Sequence, residues 1–150
     1  MNHHDGKPRV LVVEDDRCLL QLLVRSLAGG GFDTVAAGGA ADGLALVRER
    51  QGAFDLALID LVMPGMSGLD LATDLHREYP GIEILYTSGY TGSLAADALS
   101  RRAPDRVLLK PFTKHALLER VRMLLEIPPR CEPRKAPQRS ARVVHNGTLG

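Results

Sequence analysis

The sequence predicts an α/β protein built as a doubly wound, five-stranded parallel sheet with helices on both faces, a three-layer α/β/α sandwich. Two observations predict it. Short aliphatic and β-branched runs, of the kind buried on both faces of a parallel sheet, alternate with stretches of helical apolar spacing. That alternation repeats through five strand–helix units, and right-handed crossovers leave few topologies for it, one being strand order 2-1-3-4-5.

The first run, Arg9-Val10-Leu11-Val12-Val13-Glu14, reads as a buried strand. Asp15-Asp16 stop it, and Asp16 suits a helix N-cap. Over residues 17–28 apolar positions recur at helical spacing (Leu19, Leu22, Leu23, Ser26, Leu27), and Gly29-Gly30-Gly31 ends that helix. Residues 32–36 form the second strand. A helix over 40–50 turns Leu44, Val47 and small alanines inward. Residues 54–60 form another buried strand, closed by the turn Met63-Pro64-Gly65. Ser67, with Asp70 at capping-box spacing, starts a helix to about Tyr79. Strand four spans 82–86, a weaker alanine-rich helix 94–101 and strand five 106–109. Thr113 caps a last helix carrying Leu117, Leu118, Val121, Leu124 and Leu125, and Pro128-Pro129 end it.

Composition sets the class. The 150 residues are of one-domain size, and with 4% aromatics and no Trp the core must be aliphatic. A charged fraction of 25% and a hydrophobic fraction of 45% are ordinary for a soluble globular protein. The net charge of +1 hides an asymmetry: Arg130, Arg134, Lys135, Arg139 and Arg142 face Glu132 alone after residue 128, so the tail is basic and the body acidic. The expected organisation is a flexible leader over 1–7, a folded domain over 8–127, and a basic, disordered tail over 128–150. No apolar run approaches membrane-spanning length, and the polar start lacks a signal-peptide core. Cys18 and Cys131 are too few for a disulfide framework and suit a reducing cytoplasm.

The chemistry converges at the strand ends. In open α/β sheets, ligands sit beyond the carboxyl ends of the strands. Strand one ends in Glu14-Asp15, strand three in Asp60, strand four in Thr87-Ser88 and strand five in Lys110-Pro111. The edge strand, strand two, offers nothing reactive. Carboxylates crowded on adjacent strands repel, and either raised pKa values or a bound cation relieves this. Oxygen ligands at this density suit Mg²⁺, which uses one or two carboxylates, waters and a phosphate oxygen. Lys110 and the Thr87 hydroxyl would then meet phosphoryl oxygens, and an accessible carboxylate among them is a competent phosphoryl acceptor. Taken singly, Asp15 or Asp16 is an ordinary helix cap and Asp60 an ordinary turn residue. It is the joint pattern that points to chemistry.

These residues resemble a known pattern. Val12-Val13-Glu14-Asp15, Ile59-Asp60 followed by Met63-Pro64-Gly65-Met66-Ser67-Gly68, Tyr86-Thr87-Ser88-Gly89-Tyr90 and Leu109-Lys110-Pro111-Phe112 are similar, in order and spacing, to the receiver domain of two-component response regulators of the chemotaxis-regulator type. The likeness covers about residues 8–127. It implies a flavodoxin-like fold of order 2-1-3-4-5. It implies that Asp60 accepts a phosphoryl group from phosphohistidine on a histidine kinase or phosphotransfer protein. By the same resemblance Asp15, Asp60 and the Val62 carbonyl hold Mg²⁺, Glu14 acts directly or through water, Thr87 and Lys110 meet the phosphoryl group, and Lys110-Pro111 is cis. The Thr-Ser-Gly-Tyr stretch also looks like receivers of hybrid sensor kinases.

Two departures stand out. Val107 occupies the place, three before the lysine, where the family usually has a switch aromatic, so readout is expected to use another element, the loop Ser88 to Ser93. Val62 and Gly89 stand two beyond Asp60 and Thr87, where polar groups often orient the hydrolytic water, so dephosphorylation is expected to be slow. The tail is too short and polar for an output domain or a DNA-reading motif. Output is therefore expected through protein contact on the helix 4–strand 5–helix 5 face, made basic by Arg101, Arg102, Lys114 and Arg120, with no specific nucleic acid and no membrane. The reading is a signalling protein, not primarily an enzyme. The alternative is a receiver fold used as a phosphorylation-independent interaction module. A dehalogenase-type phosphatase would need an Asp at Val62. A flavodoxin-like electron carrier would need a hydroxyl-rich loop where Glu14-Asp15 stand.

Overall fold

The computed structural model describes residues 6–89 and 94–128. Most of the leader, the middle of the loop after strand four and the basic tail lie outside the described residues. The elements run β1 (Arg9–Val13), α1 (Arg17–Gly29), β2 (Asp33–Ala37), α2 (Ala40–Glu49), β3 (Leu56–Asp60), α3 (Gly68–Glu78), β4 (Glu83–Ser88), α4 (Leu94–Arg102), β5 (Val107–Leu109) and α5 (Lys114–Leu124). A 3-10 turn, Pro104–Arg106, precedes β5. The strands form one sheet in the order β2-β1-β3-β4-β5, and every pairing is parallel.

A parallel sheet covered on both faces needs two cores, and the aliphatic runs supply both. On one face Leu11, Val13, Ala57 and Ile59 pack with Leu44 and Val47 of α2 and Leu71 and Leu75 of α3. On the other, Val10, Val12, Leu56 and Leu58 pack with Leu23 and Leu27 of α1 and Leu117 and Val121 of α5. Alternate residues of β1 and β3 thus serve opposite cores, as the two-residue period of a strand requires.

The helix starts follow the side chains. Asp16 accepts from the Leu19 N–H at 3.1 Å, Ser67 from Asp70 N–H at 3.1 Å, and Thr113 from Ala116 N–H at 3.0 Å. Each such cap contributes about 1 kcal/mol. At the end of α1, Gly31 adopts φ 96°, a left-handed conformation that costs glycine nothing, and Phe32 N–H returns to the Leu27 carbonyl. Phe32 therefore belongs to the helix cap and β2 begins one residue later than the sequence suggests.

Two other strand boundaries differ by two residues. β4 runs on through Thr87 and Ser88, because their backbones pair with Leu108 and Leu109 while their polar side chains are buried. β3 begins at Leu56, because Asp55 turns its carboxylate onto the Arg9 N–H at 2.8 Å. Leu22, counted in the apolar pattern of α1, is 59% exposed. The buried stripe of that helix runs through Leu23 and Leu27.

Leu75→Ala, which empties a fully buried position, is expected to cost about 2–5 kcal/mol in urea unfolding. Leu22→Ala should stay within about 0.5 kcal/mol of the parent.

Candidate functional site at the carboxyl edge of the sheet

The strand order brings the ends of β1, β3, β4 and β5 side by side. Glu14 follows β1 directly, and its N–H bonds to the Ala37 carbonyl of β2. Asp60 closes β3 and stands in register with Thr87 of β4. Lys110 follows β5, tied down by its own N–H to the Ser88 carbonyl at 2.8 Å. The Lys110-Pro111 bond is cis, as expected.

Glu14, Asp15 and Asp60 each offer a carboxylate oxygen within 4.8 Å of the others. Glu14 is 2% exposed, Asp60 5% and Thr87 1%, whereas Asp15 is exposed. The Lys110 ammonium lies between the two buried carboxylates, 3.1 Å from Glu14 Oε2 and 3.2 Å from Asp60 Oδ2. The other oxygens are held by backbone. Glu14 Oε1 accepts from Asp16 N–H at 3.2 Å, and Asp60 Oδ1 accepts from Val62 N–H at 3.1 Å. The sequence reading named the side chains but not these two amides, which follow only from the turns after β1 and β3. Val62 itself points its side chain to solvent, 63% exposed.

Burial pushes the Glu14 carboxyl up to about 7, and the neighbouring Asp60 charge adds to this, against the Asp16 N–H and Lys110, which hold it down. Burial works against the Lys110 ammonium, but the bonds and charges of Glu14 and Asp60 outweigh it and leave its pKa above the ordinary lysine value. The donor set is therefore all oxygen, partly buried and acidic, with one cation already drawn in. Such a set fits a hard divalent ion with an open side.

Around this centre, Leu61 N–H bonds to the Thr87 carbonyl at 3.0 Å, joining the loop after Asp60 to the end of β4. Val107 is buried on β5 and pairs in register with Tyr86. Of the loop Ser88 to Ser93, Ser88 and Gly89 are described and residues 90–93 lie outside the described residues. An open cavity of about 510 Å³ lies at the opposite edge of the sheet, lined among others by Asp55, Tyr79, Ile82 and Leu125, and shares no residue with the acidic cluster.

The raised pKa of Glu14 has a consequence for the metal-free protein. Between pH 4.5 and about 7 the folded chain keeps the Glu14 proton and the unfolded chain has lost it. Protonation favours the folded form there, so stability should fall as pH rises through this window. Urea midpoints measured in a chelator across that range should show the fall, and Glu14→Gln should flatten it.

Comparison with known proteins agrees with this geometry. The response regulator receiver domain family matches residues 10–122. The DNA-binding response regulator MtrA of Mycobacterium tuberculosis (strain ATCC 25618 / H37Rv) is 35% identical over 119 residues, covering 79% of this chain and 51% of MtrA. The sensor kinase CckA of Brucella abortus (strain 2308) is 32% identical over 121 residues, 81% of this chain and 13% of CckA. A CheY-like response regulator receiver domain protein from Methanospirillum hungatei JF-1 superposes with a TM-score of 0.71 at 31% identity, over 80% of this chain and 94% of that one. The chain spans about half the length of the first curated relatives it matches. Its sheet order, its acidic carboxyl edge and the family match over most of its length make it a member of the response regulator receiver domain family.

Proposed function

We propose that the chain is a phospho-acceptor in a two-component phosphorelay and that Asp60 takes the phosphoryl group. One observation carries the reading: in a receiver-family chain, Asp60 stands against Lys110 and within a carboxylate's reach of Glu14 and Asp15. The donor's P–N bond breaks as a P–O bond to the Asp60 carboxylate forms, and the donor imidazole recovers a proton. Lys110 and the Thr87 hydroxyl, beside Asp60 in register, meet the charge on the transferred oxygens. Asp15, Asp60 and the Val62 carbonyl would hold Mg²⁺, with Glu14 directly or through water. When bound, the ion neutralises negative charge on the phosphoryl oxygens.

The donor is a histidine kinase or phosphotransfer protein. The likeness to a segment of a sensor kinase supports that class of partner. Output runs through a protein contact on the α4–β5–α5 face. Leu94 and Leu109 are exposed on these elements, with Arg101 and Arg102 at the end of α4. Of the basic residues expected on this face, Lys114 is exposed but leans to the α1 side, and Arg120 is bonded to backbone within the face. Lys114 reaches towards Gly29 of α1, and Arg120 donates to the carbonyls of Pro104, Asp105 and Val107. No helix among the described residues is long and apolar enough to cross a membrane; the setting proposed is cytoplasmic.

Incubation with Mg²⁺ and acetyl phosphate should give a base-labile mass gain of one phosphate, absent from Asp60→Ala. No Mg²⁺-dependent modification or beryllofluoride binding would favour a phosphorylation-independent interaction module, which the buried Val107 keeps in view. Lys110→Ala should keep Mg²⁺ binding and lose about 100-fold in phosphorylation rate, the order found when one donor to a developing oxyanion is removed. With Val62 and Gly89 supplying no polar side chain near the phosphate, dephosphorylation should be slow. A phosphoryl half-life of seconds would overturn that expectation.

A further inference from the structure

We infer that Gly68 is a positioning residue for Asp60: lacking a side chain, it lets the start of α3 close onto the Asp60 main chain and so sets where the acceptor carboxylate and the Val62 backbone stand. The inference rests on the reading of Asp60 given above. A Cβ on Gly68 would overlap the Asp60 carbonyl oxygen, and would lie 3.0 Å from both the Asp60 carbonyl carbon and Ile59 Cγ2. The group that would have to yield is not the loose end of a side chain. It is backbone at the end of β3, a central strand paired with β1 and β4. Close-packed surroundings of that kind transmit a displacement rather than absorb it.

The requirement is for space, not conformation, since Gly68 is not among the residues with positive φ. Gly65, in the same loop, is the opposite case: it has φ 80° and nothing within 4 Å of a Cβ. Backbone hydrogen bonds close the loop around the acceptor. Gly68 N–H reaches the Leu61 carbonyl at 3.4 Å, and Leu61 N–H reaches the Thr87 carbonyl at 3.0 Å. Val62 N–H meets Asp60 Oδ1 at 3.1 Å. Pushing the Asp60 carbonyl away from α3 therefore shifts Asp60, Leu61 and Val62 together, against Glu14 and Asp15, which hang from another strand. Mg²⁺ tolerates little departure from its preferred octahedron, so metal affinity is the property most exposed to such a shift.

The test uses the full chain and Mg²⁺ alone, titrated by calorimetry and by amide NMR shifts. Gly68→Ala should weaken Mg²⁺ binding about ten-fold or more, the scale on which groups that orient metal ligands act, and should slow phosphorylation by acetyl phosphate in parallel. Ser67→Ala is the control: it removes the N-cap bond of α3 but adds no atom beside Asp60, and should bind Mg²⁺ as the parent does. In the unsubstituted chain, Mg²⁺ should move the Gly68 amide together with those of Asp60, Leu61 and Val62, and leave Gly81 unmoved. A folded Gly68→Ala with parental Mg²⁺ affinity would overturn the inference. So would a Gly68 amide that stays still while Mg²⁺ saturates the unsubstituted chain, a measurement that holds even if the variant does not fold. If the unsubstituted chain binds no Mg²⁺, the reading of Asp60 falls, and this inference with it.

Discussion

The carboxyl edge of the sheet depends on one contact, the Lys110 ammonium set between Glu14 and Asp60. Two carboxylates buried at 2% and 5% exposure, on adjacent strands, repel each other and are poorly hydrated. Lys110 lies within hydrogen-bond distance of both. It does so from β5, two strands away from β3, reaching across the end of β4. The Lys110 N–H on the Ser88 carbonyl anchors the base of that reach. These hydrogen bonds thus tie β1, β3 and β5 together at one edge, and the strand order is what makes them possible.

The same contact leaves the edge incompletely neutralised. Lys110 meets two of the three clustered carboxylates, and the Glu14 carboxyl, desolvated by burial and beside the Asp60 charge, holds its proton to about pH 7. An edge in this condition favours any ligand that adds positive charge through oxygen coordination. The backbone amides of Asp16 and Val62 keep one oxygen of each buried carboxylate oriented meanwhile. Preorganisation here comes from turns as much as from charged side chains. The turn after β3 is itself shaped by the close approach of α3 at Gly68.

The opposite end of the molecule shows the same residue types without the same consequence. Asp55 and Asp33 engage Arg9 through its N–H and its Nε, Glu78 pairs with Arg48, and Glu83 with Arg106. Each of these acids has a partner from a neighbouring element. Acidic residues are as plentiful there, but they are distributed among partners rather than gathered around one. The contrast is one of topology: loops that follow strands converge at the carboxyl edge, and helices return the chain to the other.

Much of this was legible in the sequence because it is written in local patterns. Buried parallel strands need continuous aliphatic runs, helix starts need Asp16, Ser67 and Thr113, and these survive translation into structure. The resemblance carried by Asp60, Thr87 and Lys110 added the strand order. Boundaries were less legible: Thr87 and Ser88 look like a loop by composition, yet they continue β4 because β5 completes their hydrogen bonds. The exposure of Leu22, the lean of Lys114 towards α1 and the backbone bonds of Arg120 depend on which neighbour each helix meets. The sequence by itself determined which residues lie at the strand ends and which chemistry they can support. Tertiary structure alone decided that Lys110 joins Glu14 to Asp60, that two backbone amides orient them, and that Gly68 must have no side chain. Those are distances between segments far apart in the chain, and only packing sets them.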